Sequence, residues 1–212
     1  MNTEKLIILL DKIADRIDAE KDYLCELDSP IGDGDHGTNM ARGFNEVKKK
    51  LPSLVSQSPA EVLKTVGITL VSSVGGAAGP LYGTAFMKAG DSVKGKSELD
   101  ISDFTNSLSA AIEGVIARGK AHRGEKTMLD SMIPSLSALN MSIANGDDTM
   151  TSLDEALSAA EDGVYYTKTI AASKGRASYL GVRSIGHQDP GATSYKIILE
   201  VIVNFYKENA PW

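Results

Sequence analysis

The stretch IGDGDHGTNM, residues 31–40, places two aspartates, a histidine and three glycines in its first seven positions. With Asp28 just upstream, three carboxylates (Asp28, Asp33 and Asp35) can converge on a hard divalent cation. The glycines at 32, 34 and 37 permit the tight backbone that brings them together. An EF-hand is excluded, because its loop wants an oxygen ligand at the fifth position and Gly37 stands there when counting from Asp33. Zinc is disfavoured, since the chain offers only His36, His122 and His187 and no cysteine neighbours them. Mg²⁺ suits the set better: it keeps waters and is usually completed by substrate phosphates. The same composition also suits an Asp/Gly turn that caps the next helix, and for this motif alone the two readings are equal.

Three further loops carry chemistry of a matching kind. SSVGGAAGP, residues 72–80, lacks the Lys-Ser/Thr end of a Walker A loop and the strand before a Rossmann glycine fingerprint. Its small residues, Gly75, Gly76, Ala77, Ala78 and Gly79, let a ligand approach the backbone, and the start of the following helix favours an anion. Close helix packing explains the same residues. ARGKAHRGEKTMLD, residues 117–130, crowds Arg118, Lys120, Arg123 and Lys126 into one loop of an acidic protein. Such a run is a solvated face, a neutraliser of phosphates, or a dock for an acidic partner. Met128 reads as core or as a thioether against a purine ring. Residues 173–194 supply Lys174, Arg176 and Arg183, then Asp189 and Pro190 in the pattern of a helix N-cap followed by proline at the first helical position. His187 reads as structural. Together the four loops supply what a magnesium-nucleotide site requires: carboxylates for metal, glycine-rich backbone for phosphates and arginine for charge.

The elements that must position these loops are helical. Leu6, Leu10, Ile13 and Ile17 follow Asn2 and Thr3 at helical spacing, and Met40, Phe44 and Val47 form a second stripe that stops at Pro52. SPAE at 58–61 reads as a capping box, SLDE at 152–155 as another, and DISD at 100–103 as a weaker start. Helices are also expected after Pro80, around 128–139 despite Pro134, and from Ala192 to Tyr206, although KIILEVIVNFY is equally strand-like by propensity. NGDDTMTS at 145–152 reads as a loop. About eight amphipathic helices with no convincing strand pair predict an all-α bundle, with residues 1–212 as a single domain.

A formal net charge of −6 argues against nucleic-acid or anionic-membrane binding. The single Cys25 cannot form an internal disulfide, no secretory signal is recognised, and no apolar run spans a bilayer, so the expected location is cytoplasmic.

The motifs IGDGDHGTNM, SSVGGAAGPLYGT, RGKAHRGEKTMLD and KGRASYLGVRSIGHQDPGATS, in this order, resemble those of the nucleotide-binding L subunits of dihydroxyacetone kinases. The resemblance covers essentially the whole chain, and a freestanding chain of this length looks like the version that serves the phosphoenolpyruvate-dependent phosphotransferase system. It implies a barrel of eight antiparallel helices with the nucleotide in the loops at one end. It implies that Asp28, Asp33 and Asp35 bind two Mg²⁺ ions, and that His36, Gly37, Thr38 and Asn39, with Ala77 and Ala78, surround the phosphates. Gly119 and Met128 would border the nucleotide, and Arg176, for charge stabilisation, with Asp189, Pro190 and Gly191 would complete the pocket. ADP would stay bound, cycling with ATP, to carry a phosphoryl group from a phosphohistidine M subunit to dihydroxyacetone held on a K subunit. A transcriptional regulator is a further partner that the resemblance implies. One departure stands out: relatives often carry Ser where Ala78 stands, so a hydroxyl contact to phosphate is missing.

The residues also leave other readings open: an ATP-dependent subunit with exchangeable nucleotide, a two-metal phosphohydrolase, or a non-catalytic binding module that docks a regulator through residues 118–126. No residue is expected to act as acid, base or nucleophile.

Overall fold

Apolar residues recurring every three to four positions form helices throughout the computed structural model, which describes residues 1–209. Among these residues there are nine α-helices, two 3₁₀ segments and no strand. They are α1 (Thr3–Ala19), α2 (Lys21–Asp28), α3 (His36–Lys50), α4 (Pro59–Ser73), α5 (Ala78–Ser92), α6 (Ile101–Gly119), α7 (Leu129–Asn145), α8 (Thr149–Thr167) and α9 (Pro190–Asn209). The 3₁₀ segments are Leu51–Leu54 and Arg176–Ser184. The short α2 and both 3₁₀ segments are additions to the eight helices expected; eight residues of α2 bury only Leu24 and Asp28, too little for a periodic signal.

One apolar core runs from Met1 to Phe205 and draws on every long helix. Neighbours follow a closed cycle: α3 packs on α4, then α5, α6, α7, α8, α9 and α1, and α1 returns to α3. The helical fate of KIILEVIVNFY follows from burial. Ile197, Ile198, Leu199, Val201, Val203 and Phe205 are all buried, on more than one face of α9, because α9 sits against α1, α7 and α8 at once. Tertiary packing overrides the β-branched preference here. Pro134 lies inside α7 and removes the amide that would bond the Asp130 carbonyl. Gly163 of α8 packs against that same carbonyl, where any Cβ would collide.

The helix starts divide into two groups. Asn2, Ser58, Asp100 and Asp148 cap α1, α4, α6 and α8 through their side chains. The reciprocal capping box forms at Asp100 and Asp103, the weaker of the sequence signals. SLDE is not a helix start: Ser152 is buried inside α8, which begins four residues earlier behind Asp148, so only residues 146–148 of the expected loop lie outside helices. By contrast α2, α3, α5 and α7 begin at Glu20, Asp35, Ala77 and Met128, none of which caps its helix with its own side chain, and the last three of these starts share one cleft.

Candidate functional site

Those three uncapped starts line one cleft of about 460 Å³, within the usual size of small-molecule sites. Helix starts carry partial positive charge, so three of them around one cleft favour an anion, although Asp28 already accepts from the His36 amide of α3 and Thr127 Oγ1 from the Leu129 amide of α7. The α9 start also lines it, but there Asp189 Oδ2 accepts from the Ala192 amide at 2.7 Å, with Pro190 at the first helical position as expected from sequence.

The acidic corner is built by α2 and the turn after it. Asp28 ends α2 and is buried; its Oδ2 accepts from the Asp35 amide at 3.0 Å and from the His36 amide at 3.3 Å. Gly32 is needed here, because a Cβ would collide with the Asp28 carboxylate. One oxygen from each of Asp28, Asp33 and Asp35 lies within 4.8 Å of the others, with Asp33 and Asp35 exposed. This all-oxygen, partly open set fits a hard divalent ion such as Mg²⁺. Burial raises Asp28 above the usual carboxylate range, the two amides oppose the shift, and the neighbouring Asp33 and Asp35 add to it. A cation in the corner would offset the repulsion among the three carboxylates and favour the ionised form of Asp28. Arg176 Nη2 meets Asp33 Oδ2 at 2.9 Å and ties the 3₁₀ strap to the acidic corner.

Of the residues expected from sequence, Asp28, Asp33, Asp35, His36, Asn39, Ala77, Ala78, Gly119, Met128, Arg176, Asp189, Pro190 and Gly191 all line the cleft. Gly37 and Thr38 do not. Gly37 is packed against the Lys21 carbonyl of α2, and Thr38 points to Cys25, with Oγ1 3.5 Å from its Sγ. The Asn39 side chain is held by Arg42, whose Nη2 donates to Oδ1 at 2.7 Å while Nε donates to the Ser73 carbonyl at 2.8 Å. Arg42 therefore locks α3 to the end of α4 beside Gly75 and Gly76.

His36 is enclosed. Its Nε2 lies 2.9 Å from Ser194 Oγ, which in turn lies 2.8 Å from Tyr82 Oη, linking α3, α9 and α5 behind the cleft. Burial pulls His36 down to about 4, against the opposing charge of Asp35, so the ring is neutral near pH 7. Tyr82 is raised by the same burial.

Lys126 departs from the solvated-face reading of its basic loop, whereas Arg118, Lys120 and Arg123 are exposed. The Lys126 side chain is buried, with Nζ donating to the carbonyls of Thr167, Ile170 (3.2 Å) and His187 (2.6 Å). Lys126 thus pins the end of α8 and the approach to α9 beneath the cleft. Asp130 works beside it, accepting from the Gly124 amide and from the Thr127 amide at 2.8 Å. Burial pushes Asp189 up to about 7, with Asp130 and Asp28 adding to the rise and the Ala192 amide and Lys126 opposing it. Arg42, Tyr82 and the structural role of Lys126 were missed from sequence. Each acts through partners at least 30 positions away or, for Arg42, through a carbonyl on another helix, and no local pattern marks that.

Comparison with known proteins agrees with this geometry. The chain is 41% identical over 208 residues to the PEP-dependent dihydroxyacetone kinase, ADP-binding subunit DhaL, of Escherichia coli K12, covering 98% of this chain and 99% of that protein. It is 42% identical over 194 residues to the PTS-dependent dihydroxyacetone kinase, ADP-binding subunit DhaL, of Lactococcus lactis, covering 92% and 93%. Among solved structures, the dihydroxyacetone kinase from C. freundii in complex with AMP-PNP and Mg²⁺ superposes with a TM-score of 0.70 at 22% identity, which shows the shared fold. The alignment takes in 93% of this chain and 33% of that longer one. The DAK2 domain model matches residues 30–204, and the chain belongs to the DAK2 domain family.

Proposed function

We propose that this chain is the ADP-binding subunit of a phosphoenolpyruvate-dependent dihydroxyacetone kinase. The observation that carries the reading is the single cleft in which three uncapped helix starts, a carboxylate triad and Arg176 converge. The names of relatives more than 40% identical over nearly their full length support it. When bound, the nucleotide supplies the carrier on which a phosphoryl group passes from a phosphohistidine M subunit to dihydroxyacetone on a K subunit, and Mg²⁺, two ions in our reading, offsets phosphate charge.

The chain's own residues bind and orient. Asp28, Asp33 and Asp35 would hold the metal, with Asp28 fixed by its two amide donors. The starts of α3 and α5 would face the phosphates, so Gly37 and Thr38 take part through backbone amides at most, and Ala77 and Ala78 offer no hydroxyl. Gly119 and Met128 would border the base, with Asp189, Pro190 and Gly191 closing the far wall. Arg176 would offset charge that develops during transfer, a role available to it because it is exposed and paired only through the acidic corner. Phosphoryl transfer needs positioning and charge neutralisation more than a protein nucleophile, which suits a site whose histidine is neutral near pH 7 and tied to Ser194.

Retained nucleotide is the test. Purified protein is dialysed exhaustively against Mg²⁺-containing buffer, denatured, and its supernatant chromatographed. About one ADP per chain is expected. An empty chain that binds ATP reversibly would instead mark an ATP-dependent subunit.

A further inference from the structure

Asn39 stands in the wall of the cleft only 7% exposed, and one end of its side-chain amide is engaged while the other is not. Oδ1 accepts from Arg42 Nη2 at 2.7 Å, whereas Nδ2 has no acceptor among the described residues. A guanidinium donates and cannot accept, so this contact fixes how the amide is turned: carbonyl to Arg42, amino group away from it. The glycine turn before α5 shows where the amino group goes. A Cβ on Gly75 would fall 2.6 Å from Asn39 Oδ1 and 2.9 Å from Arg42 Nη2, so the turn lies directly on the pair. A Cβ on Gly76 would have Asn39 Nδ2 as its nearest neighbour, at 4.0 Å. Gly76 has a φ of +63° and leads into the α5 start at Ala77 and Ala78; like Asn39, all three line the cleft.

Arg42 is itself exposed and is not among the described residues that line the cleft. Its second bond, from Nε to the Ser73 carbonyl at 2.8 Å, anchors the guanidinium on α4. Buried polar groups in folded proteins are almost always paired, so an enclosed amide with two unpaired donors in the wall of an anion-favouring cleft is aimed at a ligand. We propose that Arg42 is a positioning residue: it turns the Asn39 amide so that Nδ2 donates to a phosphate oxygen at the α5 start, without touching the nucleotide itself. The inference rests on the functional reading above. A cation on the amide carbonyl also polarises the group and strengthens its N–H donors. Arginine suits the task better than lysine, because one planar fork serves the Ser73 and Asn39 oxygens together. Ala77 and Ala78 offer no hydroxyl, which leaves Asn39 Nδ2 as a side-chain donor beside that start.

The test uses the full chain as wild type, Arg42→Met, Arg42→Lys, Asn39→Ala and the Arg42→Met, Asn39→Ala double variant. Affinities for ADP and for inorganic pyrophosphate are titrated in Mg²⁺ buffer after removal of bound nucleotide, with urea midpoints as a check on the fold. The side-chain amide protons of Asn39, assigned through the backbone, are followed by heteronuclear NMR in the same titrations. Arg42→Met and Asn39→Ala are each expected to lose about tenfold in affinity. The double variant should lose about the same tenfold and not a hundredfold, because both residues act through one donor. The Asn39 protons should move downfield when the wild-type chain binds either ligand, and stay in place in Arg42→Met. Arg42→Lys, with one ammonium for two oxygens, should restore neither affinity nor shift in full. Additive losses in folded variants overturn the proposal, as does an unmoved wild-type amide, which decides the question even where a variant fails to fold. Recovery of affinity in Arg42→Lys with the amide still unmoved also overturns it, since Arg42 would then act by charge alone. Wild-type binding of pyrophosphate without ADP defeats the functional reading, while the pyrophosphate titrations still decide the role of Arg42; binding of neither defeats both.

Discussion

Lys126→Met removes the ammonium that holds three chain segments together while keeping an apolar side chain of similar length. Lys126 is 2% exposed, so the carbonyls of Thr167, Ile170 and His187 lose their donor, the first in a buried setting and the other two in part-buried ones. Each buried carbonyl left unpaired costs about 1–3 kcal/mol. Against this, relief from burying a charge returns part of the loss, since burial holds the lysine below the usual amine range despite Asp189 and Asp130. The balance resembles removal of one partner from a buried ionic network, about 3–5 kcal/mol of stability. With a urea slope of about 2–3 kcal/mol per molar for a chain of this size, the unfolding midpoint should fall by about 1–2.5 M. Lys126→Arg should not rescue it, because a planar fork cannot reach the same three carbonyls in an enclosed space. Nucleotide binding should weaken with stability, because the pinned segments lead into Asp189, Pro190 and Gly191. Circular dichroism in urea and ADP content after dialysis read both effects. A midpoint shift below about 0.3 M, under 1 kcal/mol at that slope, would refute the reasoning that this lysine is a structural pin.

Asp33→Asn should release Arg176 and lower retained ADP in Mg²⁺ buffer, yet change stability by less than about 1 kcal/mol because the ion pair is exposed; ADP content and a urea melt separate the two effects. Asp189 takes up its proton at about 7 in the fold against 3.8 in the unfolded chain, so between those values the folded state holds more proton and this group's contribution to stability falls as pH rises. Asp189→Asn keeps a capping oxygen and should flatten that slope, as seen in urea midpoints taken at pH 5 and pH 8. Gly37→Ala should cost about 1–3 kcal/mol by forcing α3 off the Lys21 carbonyl, and a thermal melt would show it.

The parts of this fold that were legible in the sequence are those written by local rules. The stripes of α1 and α3, the Ser58 cap of α4 and the Asp189-Pro190 start of α9 all appear where spacing and capping chemistry put them. The SLDE boundary failed because Asp148, four residues upstream, caps the Thr151 amide and the helix extends to that earlier start. Lys126 was read as surface because charge usually is; only the carbonyls of residues 167, 170 and 187 make its burial tolerable, and they are distant in sequence. The candidate site was legible through its loops, since metal and phosphate chemistry draws on few residue types. Gly37 and Thr38 were placed in the site by the family resemblance; a helix start turns successive positions about 100° apart, and here Gly37 packs on the Lys21 carbonyl and Thr38 Oγ1 lies by Cys25, both of α2.

The central claim is that this chain carries nucleotide as a resident carrier and not as a consumed substrate. It is tested most directly by reconstituting the chain with K subunit, M subunit and a phosphoenolpyruvate-driven phosphoryl supply, then measuring dihydroxyacetone phosphate. The account expects turnover sustained by that supply without added nucleotide, and little turnover when free ATP replaces the supply. Equal rates from free ATP alone would contradict it.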